Sequence, residues 1–444
     1  MSSYRADGSV ATGYITREAI QRLLGRAIGG VLSLIAVHLA VRHFGIAQWG
    51  EIVAATAWVG IFAVLGELGA GTAGARDFPD PNSSPSSAIG ATFIVGLLGS
   101  VVALVIMVPA GLVVYLHHPA VRSLVLLLAP FVPFSVIWTV SGVLLAAYKR
   151  SDLRGVLDVL SSIVVLVTAA LVLTDDLGTS WYVLGLVAEA GITAVVAVVL
   201  LSRVVAVRWP RGELRRRVHE RLVATRVVAI VVVVSLLYAY VDVVLLSVLS
   251  TSAQVGYYGI ASQIAGFAMT VPGFVLSPAV ARFTGGDDAA RSRLMQYLID
   301  LLLGTVLPAA ALLAVFARPI VIVIGGSSAA GSASSLQLLL VSTVPLFAAS
   351  PFASALVWIK CEGVAARIYL VALIVNGALN VAVDPHLGAR GASLAMIASE
   401  ATVFVLSATS FCARTGFRPR PRIPMISAGA AMVIIACWQL VLHT

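Results

Sequence analysis

Stretches such as VVLVTAALVL at 164–173 and VVAIVVVVSLL at 227–237 belong to apolar runs that follow one another along the chain with short polar breaks. Each run is about 20 residues long, enough to cross ~30 Å of hydrocarbon as an α-helix that satisfies every backbone N–H and C=O internally. Transmembrane strands would alternate polar and apolar residues in segments of about 10, and these runs do not. With 60% hydrophobic and 11% charged residues, and a mean hydropathy of +1.02, the chain lacks the surface composition of a water-soluble domain of 444 residues. The expected fold class is an all-α polytopic membrane protein.

Thirteen spans are expected, at 20–42, 47–71, 87–116, 120–147, 155–174, 180–202, 227–250, 255–281, 294–317, 335–359, 365–383, 391–412 and 423–442. Lys and Arg are retained on the cytoplasmic side of short loops, so orientation follows from counting them. With the N-terminus inside, 25 of the 29 basic residues fall in inner segments. Only Arg42, Arg122, Arg318 and Arg390 fall outside. The expected location is the inner (plasma) membrane, with a cytoplasmic N-terminus and the first span as an uncleaved anchor. The formal charge of +9 is dealt out along every inner edge and calls for no nucleic acid. The basic stretch RGELRRRVHERLVATR at 211–226 reads as a linker at an anionic leaflet. Three cysteines, Cys361, Cys412 and Cys437, form neither a disulfide framework nor a metal pattern. No cofactor motif is present.

The chain also repeats itself. A shift of 206 residues pairs Ala47, Gln48, Gly50, Ala55, Gly60, Ala73, Ala75 and Arg76 with Ala253, Gln254, Gly256, Ala261, Gly266, Ala279, Ala281 and Arg282. The two lysines, Lys149 and Lys360, are 211 apart, as are Glu189 and Glu400, and the Gly/Ser-rich stretch GGSSAAGSASS absorbs the difference. Six helices per half is an even number, so both halves enter the membrane in the same sense, as parallel repeats do. The expected organisation is a six-helix lobe at 1–202, a basic cytoplasmic linker at 203–226, a second six-helix lobe at 227–412 and an additional transmembrane helix at 413–444. The segments AQWG and AQVG are expected to be outer turns whose glycines permit the reversal, with Arg76 and Arg282 at the inner surface.

The stretches FGIAQWGEI, LGELGAGTAGARDF, YVDVVLLSVLSTSAQVGYYGIASQI and DPHLGARGASLAMIASE resemble signature segments of polysaccharide exporters and O-antigen (Wzx-type) flippases. These belong to the multidrug/oligosaccharidyl-lipid/polysaccharide (MOP) exporter superfamily, and the resemblance covers roughly residues 20–412. It implies two six-helix lobes around a central cavity that opens alternately to either side. The implied cargo is an oligosaccharide on a polyprenyl (pyro)phosphate, turned from the inner to the outer leaflet for envelope polysaccharide synthesis. The implied partners are that lipid-linked substrate, membrane lipids, and glycosyltransferases or a polymerase of the same pathway. The family has twelve or fourteen helices, so a thirteenth span departs from it.

An ionisable group within a span costs about 2.5–3.5 kcal/mol on insertion scales, which makes each a functional candidate. Arg22 and Arg26 share one face of the first span. The resemblance implies contact with the lipid phosphate, and the alternative is a pair of anchors that snorkel to the surface. Asp242, in YAYVDVVLL, must be protonated, paired or facing a wet cavity. Because the resemblance sets the seventh helix beside the cavity, Asp242 is the candidate for proton or sodium coupling or for substrate contact, with Tyr238 one turn away; structural pairing is its alternative. Glu67 in LGELGAG divides evenly between substrate contact and pairing with the first span. Gln263, Asn376 and Asn380 suit sugar hydroxyls or helix-to-helix hydrogen bonds. Glu189 and Glu400 read as structural features of the repeat. Asp158 and Asp300 read as solvated or paired with Arg154 and Arg293. Gly25 and Gly29 form a packing step, and Pro272 and Pro278 a bend in the eighth span.

Two rivals stand beside the flippase reading. An ion-coupled drug or small-molecule antiporter of the same superfamily would share the fold and use Asp242. An envelope glycan polymerase or ligase would need a sizeable outer loop, and the longest outer stretch here, 318–334, is short and poor in charge. No HExxH, nucleophile elbow or P-loop is present either, which points to a transporter and away from an enzyme. A scaffold that only holds glycosyltransferases at the membrane is a third reading.

Overall fold

A computed structural model of the chain describes residues 7–67, 85–148, 150–205, 234, 237–420 and 422–443, with the backbone path alone at 7–24, 26–27, 85–88, 151 and 436–443. Arg76, Lys149 and most of the basic linker lie outside the described residues. The described residues are helical throughout, with no strands. Six helices precede the linker: α1 Asp7–Glu67, α2 Pro85–Val114, α3 Pro119–Leu127, α4 Phe131–Ala147, α5 Ser151–Thr174 and α6 Thr179–Val204. After it come α7 Leu237–Leu249, α8 Ser252–Met269, α9 Val271–Leu276, α10 Ala279–Gly285, α11 Asp288–Val315 and α12 Ala317–Gly325. A 3-10 turn, Ser327–Gly331, leads to α13 Ser332–Trp358, α14 Glu362–Leu387, α15 Ala389–Thr415 and α16 Arg422–His443. Every one of the thirteen apolar runs meets one of these helices. Among the described residues nine helices are long and apolar enough to cross a membrane, or ten if α3 and α4, bent by 50°, form one span.

Contacts divide the chain into two compact units, Met1–Phe44 with Glu51–Tyr240, and Gly45–Gly50 with Val241–Thr444. The first is built around Ile89, Phe93, Val136, Val140, Leu144, Leu157 and Leu201, from α2, α4, α5 and α6. The expected glycine step is present in it: a Cβ on Gly25 would meet Gly155 Cα at 3.2 Å, and one on Gly29 the Ser162 hydroxyl at 3.0 Å. Small residues therefore bring α1 and α5 backbone to backbone. Arg154 reaches Asp158 at 3.7 Å, as the sequence suggested, and stacks 5.7 Å from the Trp138 ring centre. In the second unit Leu276, Ala279, Leu298, Leu302, Val306 and Phe347 form an apolar core. Along α13, Ser332, Ser335, Ser342 and Thr343 are fully buried, small enough for close helix packing. Outward-facing Val105, Val113, Ile426 and Val323 are each more than 60% exposed, as side chains solvated by lipid are.

Three expectations are corrected. Gly50 and Gly256 do not make reversals; both lie inside helices, and the break in α1 is at Gly45, with φ 73°. Instead the two glycines are points of contact within the second unit. A Cβ on Gly50 would collide with the Ser252 carbonyl, and one on Gly256 with the Ile46 carbonyl. The stretch 318–334 is not an open loop but carries α12 and the 3-10 turn. Asp300 takes a hydrogen bond from Gln296 at 2.9 Å, and Gln296 also holds the backbone of Arg420 by two bonds of 2.8 Å. That clamp ties the segment before α16 to α11, on which α16 packs through Ile423 and Ser427 beside Gly304. The bend of the eighth span appears as expected: Pro272 and Pro278 split it into α8, α9 and α10.

Candidate functional site

Asp242 sits on α7 with 3% of its surface exposed. Its carboxylate is held from two other helices of the same unit. The Tyr258 hydroxyl, on α8, donates to Asp242 Oδ2 at 2.9 Å, and Asn380 Nδ2, on α14, donates to Asp242 Oδ1 at 2.9 Å. The same amide reaches Asn376 Oδ1 at 2.8 Å and the Asn376 carbonyl at 2.9 Å. Asn376 Nδ2 in turn donates to the Ser399 hydroxyl of α15 at 3.2 Å. Four helices thus converge on one dry polar knot, where each hydrogen bond is stronger than in water and each missing one is costly.

The missing ones are on α14. Asn376, Asn380 and Asp384 follow at helical spacing, so they share a face. Asp384 is fully buried, within electrostatic range of Asp242, and neither of its carboxylate oxygens has a hydrogen-bond partner. Asn380 Oδ1 has none either. No ion pair among the described residues includes Asp242 or Asp384. Two carboxylates without a cation of the protein beside them, and three bare oxygens, form an arrangement completed by a proton or a small hard cation. Among the described residues no cluster of three His, Cys, Asp or Glu side chains could hold a metal ion.

The backbone around Asp384 is shaped for this. Helix α14 stops at Gly388, with φ 53° and ψ −131°, and α15 starts at once. Gln254 Oε1 accepts the Ala389 N–H at 3.0 Å, so the glutamine of the repeated AQxG segment caps α15. At Gly391 a Cβ would sit 2.9 Å from Asp384 Oδ1. Glycine there lets the first turn of α15 come close to the carboxylate.

Of the seven residues singled out in the sequence, Asp242, Asn376 and Asn380 come together here. Gln263 is exposed on α8 and does not join them. Glu67, half-buried, ends α1 in the first unit. Arg22 and Arg26 lie on α1, with side chains outside those described. Sequence reasoning missed Asp384, Tyr258 and Ser399 and looked to Tyr238 where Tyr258 donates. The i, i+4, i+8 spacing Asn376-Asn380-Asp384 was the available signal, obscured because Asp384 was placed just past the end of a span. Glu189 is buried, and the Thr193 hydroxyl donates to it at 3.3 Å, a structural setting as expected.

Solved structures share this fold. The chain matches "Lipid II flippase MurJ, inward closed conformation" with TM-score 0.76 at 12% identity, over 96% of this chain and 99% of that one. An inward-facing multidrug resistance MATE family transporter of the MOP superfamily matches with TM-score 0.70 at 16% identity, over 90% and 98%. A MOP superfamily transporter from Pyrococcus furiosus gives 0.63 at 16%, over 91% and 95%. No curated protein matches by sequence. The fold is thus the all-helical, two-lobe fold shared with these MOP superfamily membrane transporters. Within that class a sequence model described as "Polysaccharide biosynthesis protein" matches residues 15–283, more than half of the chain. The protein belongs to the polysaccharide biosynthesis protein family.

Proposed function

We propose that this protein is a flippase that carries a polyprenyl (pyro)phosphate-linked oligosaccharide from the inner to the outer leaflet of the plasma membrane by alternating access. Membership of the polysaccharide biosynthesis family carries this reading, and the likeness to a lipid II flippase supports it. The N-terminus is cytoplasmic, and the halves are the lobes 1–202 and 227–412. Arg22 and Arg26 meet the lipid phosphate, with Glu67 beside the same path, while the exposed amide of Gln263 contacts sugar and Asn376 supports the buried knot. Glycosyltransferases or a polymerase of the same pathway supply the substrate and consume the product.

In this reading the Asp242, Asn380 and Asp384 knot is the coupling site for a proton or Na⁺. The three bare oxygens carry that assignment. A cation bound there offsets one of the two negative charges and bridges the carboxylates of α7 and α14, and its departure leaves them repelling. That is how an ion gradient biases one conformation over another: by differential affinity for the two states.

The test is leaflet-resolved analysis of polyprenyl-linked oligosaccharides in cells depleted of the protein and complemented with wild type, Asp242→Asn or Arg26→Ala. A completed lipid-linked glycan should accumulate on the inner face, and only wild type should clear it. An unchanged distribution would sink the flippase reading for the lipids tested and favour the ion-coupled small-molecule antiporter.

A further inference from the structure

The two halves of the repeat differ in what their AQxG glutamines hold. Gln254 caps α15, and its carboxamide fills the space beside the glycine that precedes this helix: a Cβ on Gly388 would meet Gln254 Cδ at 2.7 Å. In the first half the matching helix is α6, which carries Glu189 as α15 carries Glu400. The residue before α6 is again a glycine, Gly178, yet no side chain caps this helix. Among the described residues nothing lies within 4 Å of where a Cβ on Gly178 would stand. Gln48, which the repeat pairs with Gln254, is exposed and belongs with Gly45–Gly50 to the second unit. One half thus has a glutamine on its helix N-terminus, and the other has an open N-terminus and an exposed glutamine.

The difference traces to one residue. The 206-residue shift pairs Gly45 with Thr251. Thr251 leads into α8 from extended backbone, φ −86° and ψ 154°, and its hydroxyl accepts the Gln254 N–H at 3.4 Å. Gly45 stands at φ 73° and ψ 173°, a region that essentially only glycine enters. Turning that single φ to the value of Thr251 gives the first half the backbone of the second and redirects the helix that follows. Glycine takes either value at no steric cost.

The chain just before Gly45 is already fixed beside α6. His43 Nε2 donates to the Leu177 carbonyl at 3.0 Å and lies 3.8 Å from the Asp176 carboxylate. The Phe44 ring meets Tyr182 of α6 edge to face, with centres 5.8 Å apart. Gln48 follows Phe44 by four residues, about 6 Å of helix, so a swing about Gly45 brings its amide within reach of the Thr179 N–H. In the present arrangement the stretch after Gly45 rests instead on the second unit by close backbone packing, Gly50 against Ser252 and Gly256 against Ile46.

We propose that Gly45 is the hinge of a conformational switch in which residues 45–50 leave the second unit, Gly45 turns to negative φ, and Gln48 caps α6 as Gln254 caps α15. The Gly45–Gly50 stretch is then a clasp that each half holds in turn. The switch serves any cargo and any coupling ion.

The test is cross-linking of the full-length protein in membranes, with Cys361, Cys412 and Cys437 replaced by serine and a short bis-maleimide as the probe. Peptide mass spectrometry follows the rate at which each cysteine pair is joined. Gln254→Cys with Ala389→Cys reports the standing cap of the second half and should link at the same rate whichever residue occupies position 45. Gln48→Cys with Thr179→Cys should link slowly when Gly45 is kept and about tenfold faster with Gly45→Thr, because threonine is disfavoured at positive φ by about that factor. A 48–179 pair that stays unlinked while the control pair links overturns the switch, and so does an equal rate with Gly45 and Gly45→Thr. Should Gly45→Thr fail to fold, as loss of the control link would reveal, Gly45→Ala takes its place with the same two outcomes.

Discussion

Asp384 and Asp242 differ in one respect that sets what their substitution should do. Asp242 already receives two strong donors, from Tyr258 and Asn380, whereas Asp384 receives none. A buried carboxylate without partners destabilises the protein unless something binds it. Asp384→Asn should therefore leave the cation-free protein as stable as wild type or more so, while abolishing stabilisation by the coupling ion. Asp242→Asn should cost stability, on the order of 1–3 kcal/mol, because the donors of Tyr258 and Asn380 lose a charged acceptor. Melting curves in Na⁺, in K⁺ and across a pH series separate these. Wild type with cation at 100 times its Kd gains about 2.7 kcal/mol. A Na⁺ effect at fixed pH identifies sodium, and a pH effect alone identifies a proton. An Asp384→Asn protein that still responds like wild type would remove this residue from the site. Asp242, Asn376 and Asn380 were legible in the sequence because a charge or amide in an apolar run stands out. Asp384 was not, since a hydropathy reading ends a span at its first charge. A carboxylate buried against other helices never meets the lipid that such a reading assumes, so α14 continues through it.

At the scale of helices, the AQxG segments show how a repeat can be read correctly as a repeat and wrongly as a device. Eight matches between the halves were visible, but a glycine in a sequence signals either a turn or a close approach, and only coordinates separate the two. Here they mark close approach, with Gly50 against Ser252 and Gly256 against Ile46. Gly256→Val should accordingly disturb packing and not helix formation. Overpacking of this kind costs about 1–3 kcal/mol. Circular dichroism should stay helical while melting temperature falls. A Gly256→Val protein as stable as wild type would mean that the Gly45–Gly50 stretch is free to yield. Helix boundaries followed the hydrophobic runs closely for a physical reason: in a membrane the backbone has no partner but its own helix. The short α12 escaped notice because nine residues cannot span and gave no such signal.

The topology of the whole molecule turns on one element, the bent pair α3 and α4. Its two segments, Pro119–Leu127 and Phe131–Ala147, meet at 50° across a three-residue break, a geometry shared by broken spans and re-entrant loops. If the pair re-enters, every later segment changes sides, and the twenty basic residues of the later inner segments, from Lys149 to Arg422, move to the outer face. Such a distribution would run against the retention of Lys and Arg on the cytoplasmic side, so the charge pattern favours a pair that crosses. Cysteine labelling in intact cells decides it, after Cys361, Cys412 and Cys437 are replaced by serine. His117→Cys, before the pair, and Asp152→Cys, after it, are both at exposed positions. A crossing pair predicts that an impermeant maleimide labels His117→Cys in intact cells and Asp152→Cys only after permeabilisation. Labelling of both from outside would make the pair a re-entrant loop. It would also break the parallel sense of the two halves, because six crossings per half are what return the second half to the orientation of the first.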